Sequence, residues 1–197
     1  MFFNSGTKIL KEVKYNAKKK TTRYHEQDPQ KVKEYLEKIK NIPKEKIVYI
    51  DETGIDNCLS RQYGRSPKGE RVYGKVYGHK FKRTNIVAAQ QNNQILAPLQ
   101  YNGMMHSQFF EAWFEKYLIP LLKQGTVVVM DNASFHRKKH LNNIAQKYGI
   151  RIIFLPPYSP ELNPIEHFWN WLKKKIADSV RYFQKFDDII YSIFQVL

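Results

Sequence analysis

Apolar residues along the chain fall either into short unbroken runs or at helical spacing. Ile47-Val48-Tyr49-Ile50 and Thr126-Val127-Val128-Val129-Met130 are runs of the first kind, as expected of strands buried on both faces. Residues 151–155 read as a third such strand, and residues 85–90 and 94–101 as two more. The other spacing recurs in Val32, Tyr35, Leu36 and Ile39, at i, i+3, i+4 and i+7, which makes one stripe of a helix. Asp28-Pro29 supplies its N-cap and first-turn proline, and Asn41-Ile42-Pro43 ends it. Residues 107–122 read as a helix burying Phe110, Trp113, Phe114, Tyr117, Leu118 and Leu121. Residues 137–148 form another, closed by Gly149 as a C-cap. Residues 164–180 form a third, with Ile165, Phe168, Trp169, Leu172 and Ile176 as its core stripe, and residues 186–196 a last one. Strands first, then alternating helix and strand, predict an α/β domain with a mixed sheet. Residues 1–24 have little periodicity and contain Lys18-Lys19-Lys20. The expected division is a basic arm with one amphipathic helix over 1–45 and a folded domain over 46–197.

Charge adds a partner to this picture. Lys and Arg number 33 against 18 Asp and Glu, a formal net charge of +15. A surplus of that size points to a polyanion, nucleic acid first, with an ordinary basic protein as the alternative. Residues 61–83 concentrate it: Arg61, Arg65, Lys68, Arg71, Lys75, Lys80, Lys82 and Arg83 face only Glu70. Tyr63, Tyr73, Tyr77 and Phe81 are interleaved with them, as are Gly64, Gly69, Gly74 and Gly78. That pattern predicts a twisted hairpin with turns. Its basic groups and rings suit phosphate contact and base stacking, or else a solvated hairpin whose tyrosines pack on the core. With 42% hydrophobic residues the chain can build a core and is not disordered by composition. Cys58 alone supports neither a disulfide framework nor a cysteine-cluster zinc site. No apolar stretch approaches the ~18 residues of a membrane span, and the first residues lack a signal-peptide core. A soluble, intracellular, basic protein is expected.

The candidate chemistry sits where apolar runs end in acids. Ile50 runs into Asp51-Glu52-Thr53-Gly54 and Met130 into Asp131-Asn132-Ala133-Ser134. In open α/β sheets ligands bind beyond the carboxyl ends of strands. If the two strands are parallel neighbours, Asp51 and Asp131 converge. A carboxylate emerging from a buried strand loses solvation unless something compensates it, and a hard divalent cation does so. The alternative for each Asp is a turn or a helix cap. Glu166 follows a proline-rich loop, Pro156-Pro157-Tyr158-Ser159-Pro160-Glu161-Leu162-Asn163-Pro164-Ile165-Glu166. Its spacing from Asn163 is also that of a capping box.

These three segments, with 34 residues between Asp131 and Glu166, resemble the signature motifs of DDE transposases, specifically the bacterial insertion-sequence branch of the mariner-like superfamily. The resemblance covers residues 45–180; its second segment extends through Met130-Asp131-Asn132-Ala133-Ser134-Phe135-His136. It implies a ribonuclease H-like fold, a mixed sheet flanked by helices. It implies metal-dependent DNA cleavage and strand transfer, with Asp51, Asp131 and Glu166 as the catalytic triad and as ligands of two Mg²⁺ or Mn²⁺ ions. Asp51 would bridge the ions, with Asp131 on one and Glu166 on the other. Water would release a 3′-hydroxyl, which would then attack target DNA. The implied partners are the element's ends, the target DNA and further copies of the chain in a homodimer or higher multimer. The implied setting is a prokaryotic cytoplasm, at the nucleoid. Such transposases carry an N-terminal helix-turn-helix module, whereas residues 1–45 show no pair of short helices with a glycine turn. Two other readings stay open: a different ribonuclease H-like nuclease, and a catalytically inactive DNA-binding or assembly module.

Other side chains carry weaker signals. Glu52 adjoins Asp51 but should point to the opposite side of an extended chain. His136 and His140 have i, i+4 spacing, but the His-Glu-x-x-His glutamate is missing; a surface or DNA-facing role is expected. Asn132 and His136 stand where they could steer a phosphate or the surroundings of Asp131. Cys58 has no evident histidine partner. No Gly-x-x-x-x-Gly-Lys loop is present. Lys173-Lys174-Lys175 could contact DNA or form a solvated face.

Overall fold

The computed structural model describes residues 24–56, 65–73, 83–179 and 186–195. Helix α1 (Pro29–Lys40) starts where Asp28 accepts hydrogen bonds from the amides of Gln30 and Lys31. Its proline sits at a position whose N–H would be unpaired anyway. Tyr35 is buried against Ile47, Val129 and Leu155, whereas Leu36 remains 47% exposed.

Strands β1 (Ile47–Asp56), β2 (Arg83–Gln91) and β3 (Gln94–Tyr101) follow. β2 and β3 are joined through Asn92 and Asn93, both at positive φ (48° and 67°), the backbone that a tight hairpin turn requires. Then come helix α2 (Ser107–Trp113), β4 (Val127–Met130), α3 (Lys138–Lys147), β5 (Arg151–Phe154), α4 (Ile165–Ser179) and α5 (Phe186–Phe194). The sheet order is β3-β2-β1-β4-β5. β1 pairs antiparallel with β2 and parallel with β4, and β5 is parallel to β4. This is the mixed sheet the element order predicted.

Alternation divides the core. Val48 and Ile50 of β1, with Val128 and Met130 of β4, pack against Phe110 and Trp113 of α2 and Leu141 and Ile144 of α3. The opposite face carries Ile55 against Ile165, Trp169 and Leu172 of α4, and Ile47 and Val129 against Tyr35 of α1. The predicted core stripe of α4 is buried at all five positions.

Three expectations change. The helix expected over 107–122 is regular only to Trp113; it widens to a π turn at Phe114–Leu118 and tightens to a 3₁₀ turn at Ile119–Leu121. Pro120 lacks an N–H and its ring obstructs the carbonyl four residues back, so the regular ladder cannot continue. The phase shift leaves Tyr117 and Leu121 exposed and buries Ile119. Second, β1 does not stop at Ile50 but runs through Asp51 to Asp56, because β2 keeps pairing with it after β4 has ended. Third, residues 65–73 form a turn and irregular chain rather than a strand, with the Ser66 hydroxyl donating to the Glu70 carbonyl. The rest of the expected hairpin lies outside the described residues. Among the described residues no helix is long and apolar enough to cross a membrane.

Candidate active site

The parallel register of β1 and β4 pairs Ile47 with Val127, Val48 with Val128 and Tyr49 with Val129. Two residues beyond the last of these pairs stand Asp51, still within β1, and Asp131, directly after β4. Burial, more than any other influence, pushes the Asp51 carboxyl up to about 7; the charges of Glu166 and then Asp131 add to this, against the pull of hydrogen bonds from the Glu52 backbone and the Trp169 indole. The electrostatic field of the two other acids is therefore felt at Asp51. Trp169 Nε1 donates to Asp51 Oδ2 at 3.1 Å.

Asp131 is more open, its side chain 52% exposed. Its Oδ1 accepts from the Ala133 amide and from His136 Nε2, both at 3.1 Å. Burial raises its proton affinity, but these donors and the His136 charge outweigh it and hold the carboxyl below the ordinary carboxylate range.

Glu166 lies in the first turn of α4, after a 3₁₀ turn at Pro160–Leu162. The capping box that its spacing allows is not made. The Glu166 amide donates to the Asn163 backbone carbonyl at 3.1 Å, while Asn163 Oδ1 is buried without a partner.

Glu52 faces the other side of the sheet, as alternation requires, and accepts from the Tyr101 hydroxyl at 2.8 Å. Its carboxyl is raised first by burial and then by Asp131, against the pull of Tyr101 and His136. It lines an open cavity of ≈ 460 Å³ together with Arg83, Asn85, Tyr101, Met104 and Phe135.

His136 departs from expectation. It is 8% exposed, precedes α3 rather than sitting on it, and packs at 4.3 Å from the rings of both Phe110 and Phe135. A chain that must bring its imidazole back to Asp131 turns inward before the helix can start. His140 does lie on α3, half exposed, with Nε2 3.5 Å from Glu111. Asn132 Nδ2 donates to the Leu155 carbonyl at 3.4 Å. Lys174 and Lys175 are exposed and Lys173 is half-buried.

Of the basic residues singled out for DNA, Arg65, Lys68, Arg71 and Arg83 are all exposed. The guanidinium of Arg83 occupies the space where a side chain on Gly54 would stand. Arg61, Lys75, Lys80 and Lys82 lie outside the described residues, as does Cys58.

Asp51, Asp131 and Glu166 are electrostatic neighbours, yet among the described residues no three His, Cys, Asp or Glu side chains already stand grouped to hold a metal ion. Their chemistry fits one nonetheless. The donors are hard carboxylate oxygens, and the Asp51 carboxyl is raised first by burial and then by the charges of Glu166 and Asp131. The sequence placed His136 where it could act on the surroundings of Asp131, and the bond between them is made. The Asp51–Trp169 bond left one signal: Trp169 stands three residues after Glu166, hence on the same face of α4.

Residues 46–190 match a family model described as DDE superfamily endonuclease. The Tc1 transposase of Caenorhabditis elegans is 26% identical over 97 residues, 49% of this chain and 34% of that protein. A Sinorhizobium fredii protein, y4pE/y4sA, described as uncharacterized, is 38% identical over 69 residues, 32% of this chain and 44% of its own. Among solved structures, a Mos1 transposase paired-end complex with the left transposon end superposes with a TM-score of 0.70 at 13% identity, covering 97% of this chain and 61% of that one. The catalytic domain of Mos1 mariner transposase superposes with a TM-score of 0.56 at 11% identity, covering 89% and 84%. The chain thus spans less than half of these sequence relatives. At such identities the structural likeness is one of fold, the ribonuclease H-like sheet flanked by helices.

Proposed function

This chain belongs to the DDE superfamily endonuclease family, and from that membership we propose that it is a mariner-like transposase catalytic domain that cleaves DNA strands and transfers their 3′ ends. Residues 46–197 carry the chemistry and residues 1–45 serve as a basic arm. Asp51, Asp131 and Glu166 form the acidic triad and would hold two Mg²⁺ or Mn²⁺ ions. Such ions, when bound, relieve charge on the scissile phosphate and lower the pKa of the attacking oxygen.

The observation that carries this reading is the charge effect of Glu166 and Asp131 on Asp51, joined to the parallel pairing of the neighbouring strands that lead into Asp51 and Asp131. Two acids distant in sequence add to the proton affinity of Asp51 only when folding brings them near it. Each acid has its own support. Asp51 is gripped by the pairing of β1 with β2, where it stands opposite Ala88, and by the Trp169 indole. Asp131 is bonded by Ala133 and His136. Glu166 follows a loop stiffened by four prolines and is free of a capping role. The chain's task is to keep carboxylate oxygens in fixed places while a phosphodiester is seated against them, since positioning supplies much of the rate.

Substrate is held by phosphate contacts from Arg61, Arg65, Lys68, Arg71, Lys75, Lys80, Lys82 and Arg83. Hydrolysis breaks one phosphodiester bond and frees a 3′-hydroxyl; that hydroxyl then displaces a 3′ oxygen of target DNA and forms a new phosphodiester. Two DNA ends must meet for this, so the domain acts as a homodimer or higher multimer.

The test is a nicking and strand-joining assay on terminal-repeat DNA with Mg²⁺ or Mn²⁺. Asp51→Asn, Asp131→Asn and Glu166→Gln should each reduce cleavage to background. Unchanged cleavage by all three would overturn the triad assignment.

A further inference from the structure

The geometry points to His136 as a positioning residue: its Nε2–H orients the Asp131 carboxylate so that Oδ2 is left for a cation. This rests on the reading of Asp131 as a cation ligand and adds to it the group that sets its orientation.

An ionised carboxylate only accepts hydrogen bonds, so at 3.1 Å the His136 Nε2 must be the donor. The Ala133 amide donates to the same Oδ1. Both hydrogen bonds that Asp131 makes with described residues therefore fall on one oxygen. Without them, a side chain 52% exposed to water would sample several rotamers, and ordering it would be charged against cation affinity.

His136 can orient its neighbour because it is itself immobile. Its side chain is 4% exposed, between the rings of Phe110 and Phe135. The connecting turn closes on itself through the His136 amide and the Ala133 carbonyl at 3.0 Å. Helix α2 then grips the segment in three consecutive places: the Ser107 hydroxyl donates to the Phe135 carbonyl at 2.7 Å, Phe110 packs on His136, and Glu111 accepts from Arg137 Nε at 2.8 Å. The orientation of Asp131 is thereby referred to α2, on the far side of the sheet from α4 and Glu166.

As core filler the imidazole is a poor choice. Its Nδ1 is buried with no partner, a cost that a phenyl ring of similar size would not bear. The gain that offsets it is the Nε2–H bond. Carboxylates that ligate metals are themselves hydrogen-bonded by outer partners, and removing such partners typically weakens metal affinity 10- to 100-fold.

The experiment titrates Mn²⁺ into the full cation-free chain by calorimetry and compares variants of equal thermal stability. His136→Phe keeps the ring packing and loses the donor, and should weaken Mn²⁺ binding by about 10- to 100-fold. His136→Gln returns an N–H near the Nε2 position and should recover most of the affinity, a rescue that a packing role would not give. Asp131→Asn is the reference and should lose the site. If Asp131→Asn weakens binding and His136→Phe does not, the positioning role is overturned and the ligand reading stands. If Asp131→Asn binds as the parent does, the ligand reading fails, and this inference with it. Should His136→Phe not fold, the parent protein decides: the His136 Nε2–H resonance should shift saturably with Mg²⁺, and a signal indifferent to Mg²⁺ would overturn the role.

Discussion

Trp169 donates its indole N–H to Asp51 across 118 positions of sequence, at 3.1 Å. One bond thus ties α4, which carries Glu166, to the strand that carries Asp51. Trp169→Phe keeps most of the buried ring and deletes the donor. A hydrogen bond to a charged group contributes about 1.5–3 kcal/mol, and Asp51 carries its charge only above about pH 7. The variant should therefore lose stability of that order at pH 8.5 and much less at pH 5, as measured by urea denaturation at both. An equal loss at the two pH values would mean that the indole acts only by packing.

The same carboxyl sets a pH dependence for the whole domain. Its ordinary value is 3.8 and its folded value about 7. Between those limits the folded state holds a proton that the unfolded state has released, so stability falls as pH rises through the window. In EDTA the melting temperature should decline from pH 5 to pH 8. Asp51→Asn should flatten that decline and melt above the parent at pH 8, while cutting DNA no better than background. Calorimetry across this range checks the sign; a variant that melts below the parent at pH 8 would refute it.

Glu111 behaves in the opposite sense. It is 6% exposed, and hydrogen bonding to Arg137 holds its carboxyl below the ordinary range despite burial, helped by the His140 and Arg137 charges. A depressed carboxyl stabilises above its unfolded value, and that contribution is lost as pH falls through the folded one. Arg137→Ala should melt several degrees below the parent at pH 7, with the gap closing below pH 4. Because Arg137 follows His136 directly, the same variant should also loosen Mn²⁺ binding in the calorimetric titration.

Phosphate contact makes affinity fall with salt. Each lost contact to duplex DNA should reduce the slope of log affinity against log salt by about 0.9. Arg65→Ala, Lys68→Ala, Arg71→Ala and Arg83→Ala should each do so in fluorescence anisotropy titrations. Gly54→Ala should mimic Arg83→Ala, because its new methyl group takes the place of the Arg83 guanidinium. A Gly54→Ala slope equal to that of the parent would take Arg83 out of the phosphate contacts.

Much of the architecture is legible in one dimension. Continuous apolar runs mark β4 and the first half of β1 because burial on both faces leaves no polar position. Asp28-Pro29 marks the start of α1 because a cap and its proline are local chemistry. The stripe of α4 from Ile165 to Ile176 is visible because helical period and burial coincide. The motifs single out Asp51, Asp131 and Glu166, whose charges meet at Asp51 in the fold, and alternation alone placed Glu52 on the face away from Asp51. What stayed hidden depends on contacts between segments distant in the chain. β1 outlasts its apolar run because β2 goes on pairing with it. Glu166 leaves its capping box unmade, His136 turns inward to Asp131, and the Asp51 carboxyl takes on an unusual proton affinity. Local pattern decides which residues form strands and helices, since period and capping act within a few positions. Hydrogen bonds to buried acids and the repulsion between them act over a few ångströms of space, and only tertiary packing decides which distant residues come that close.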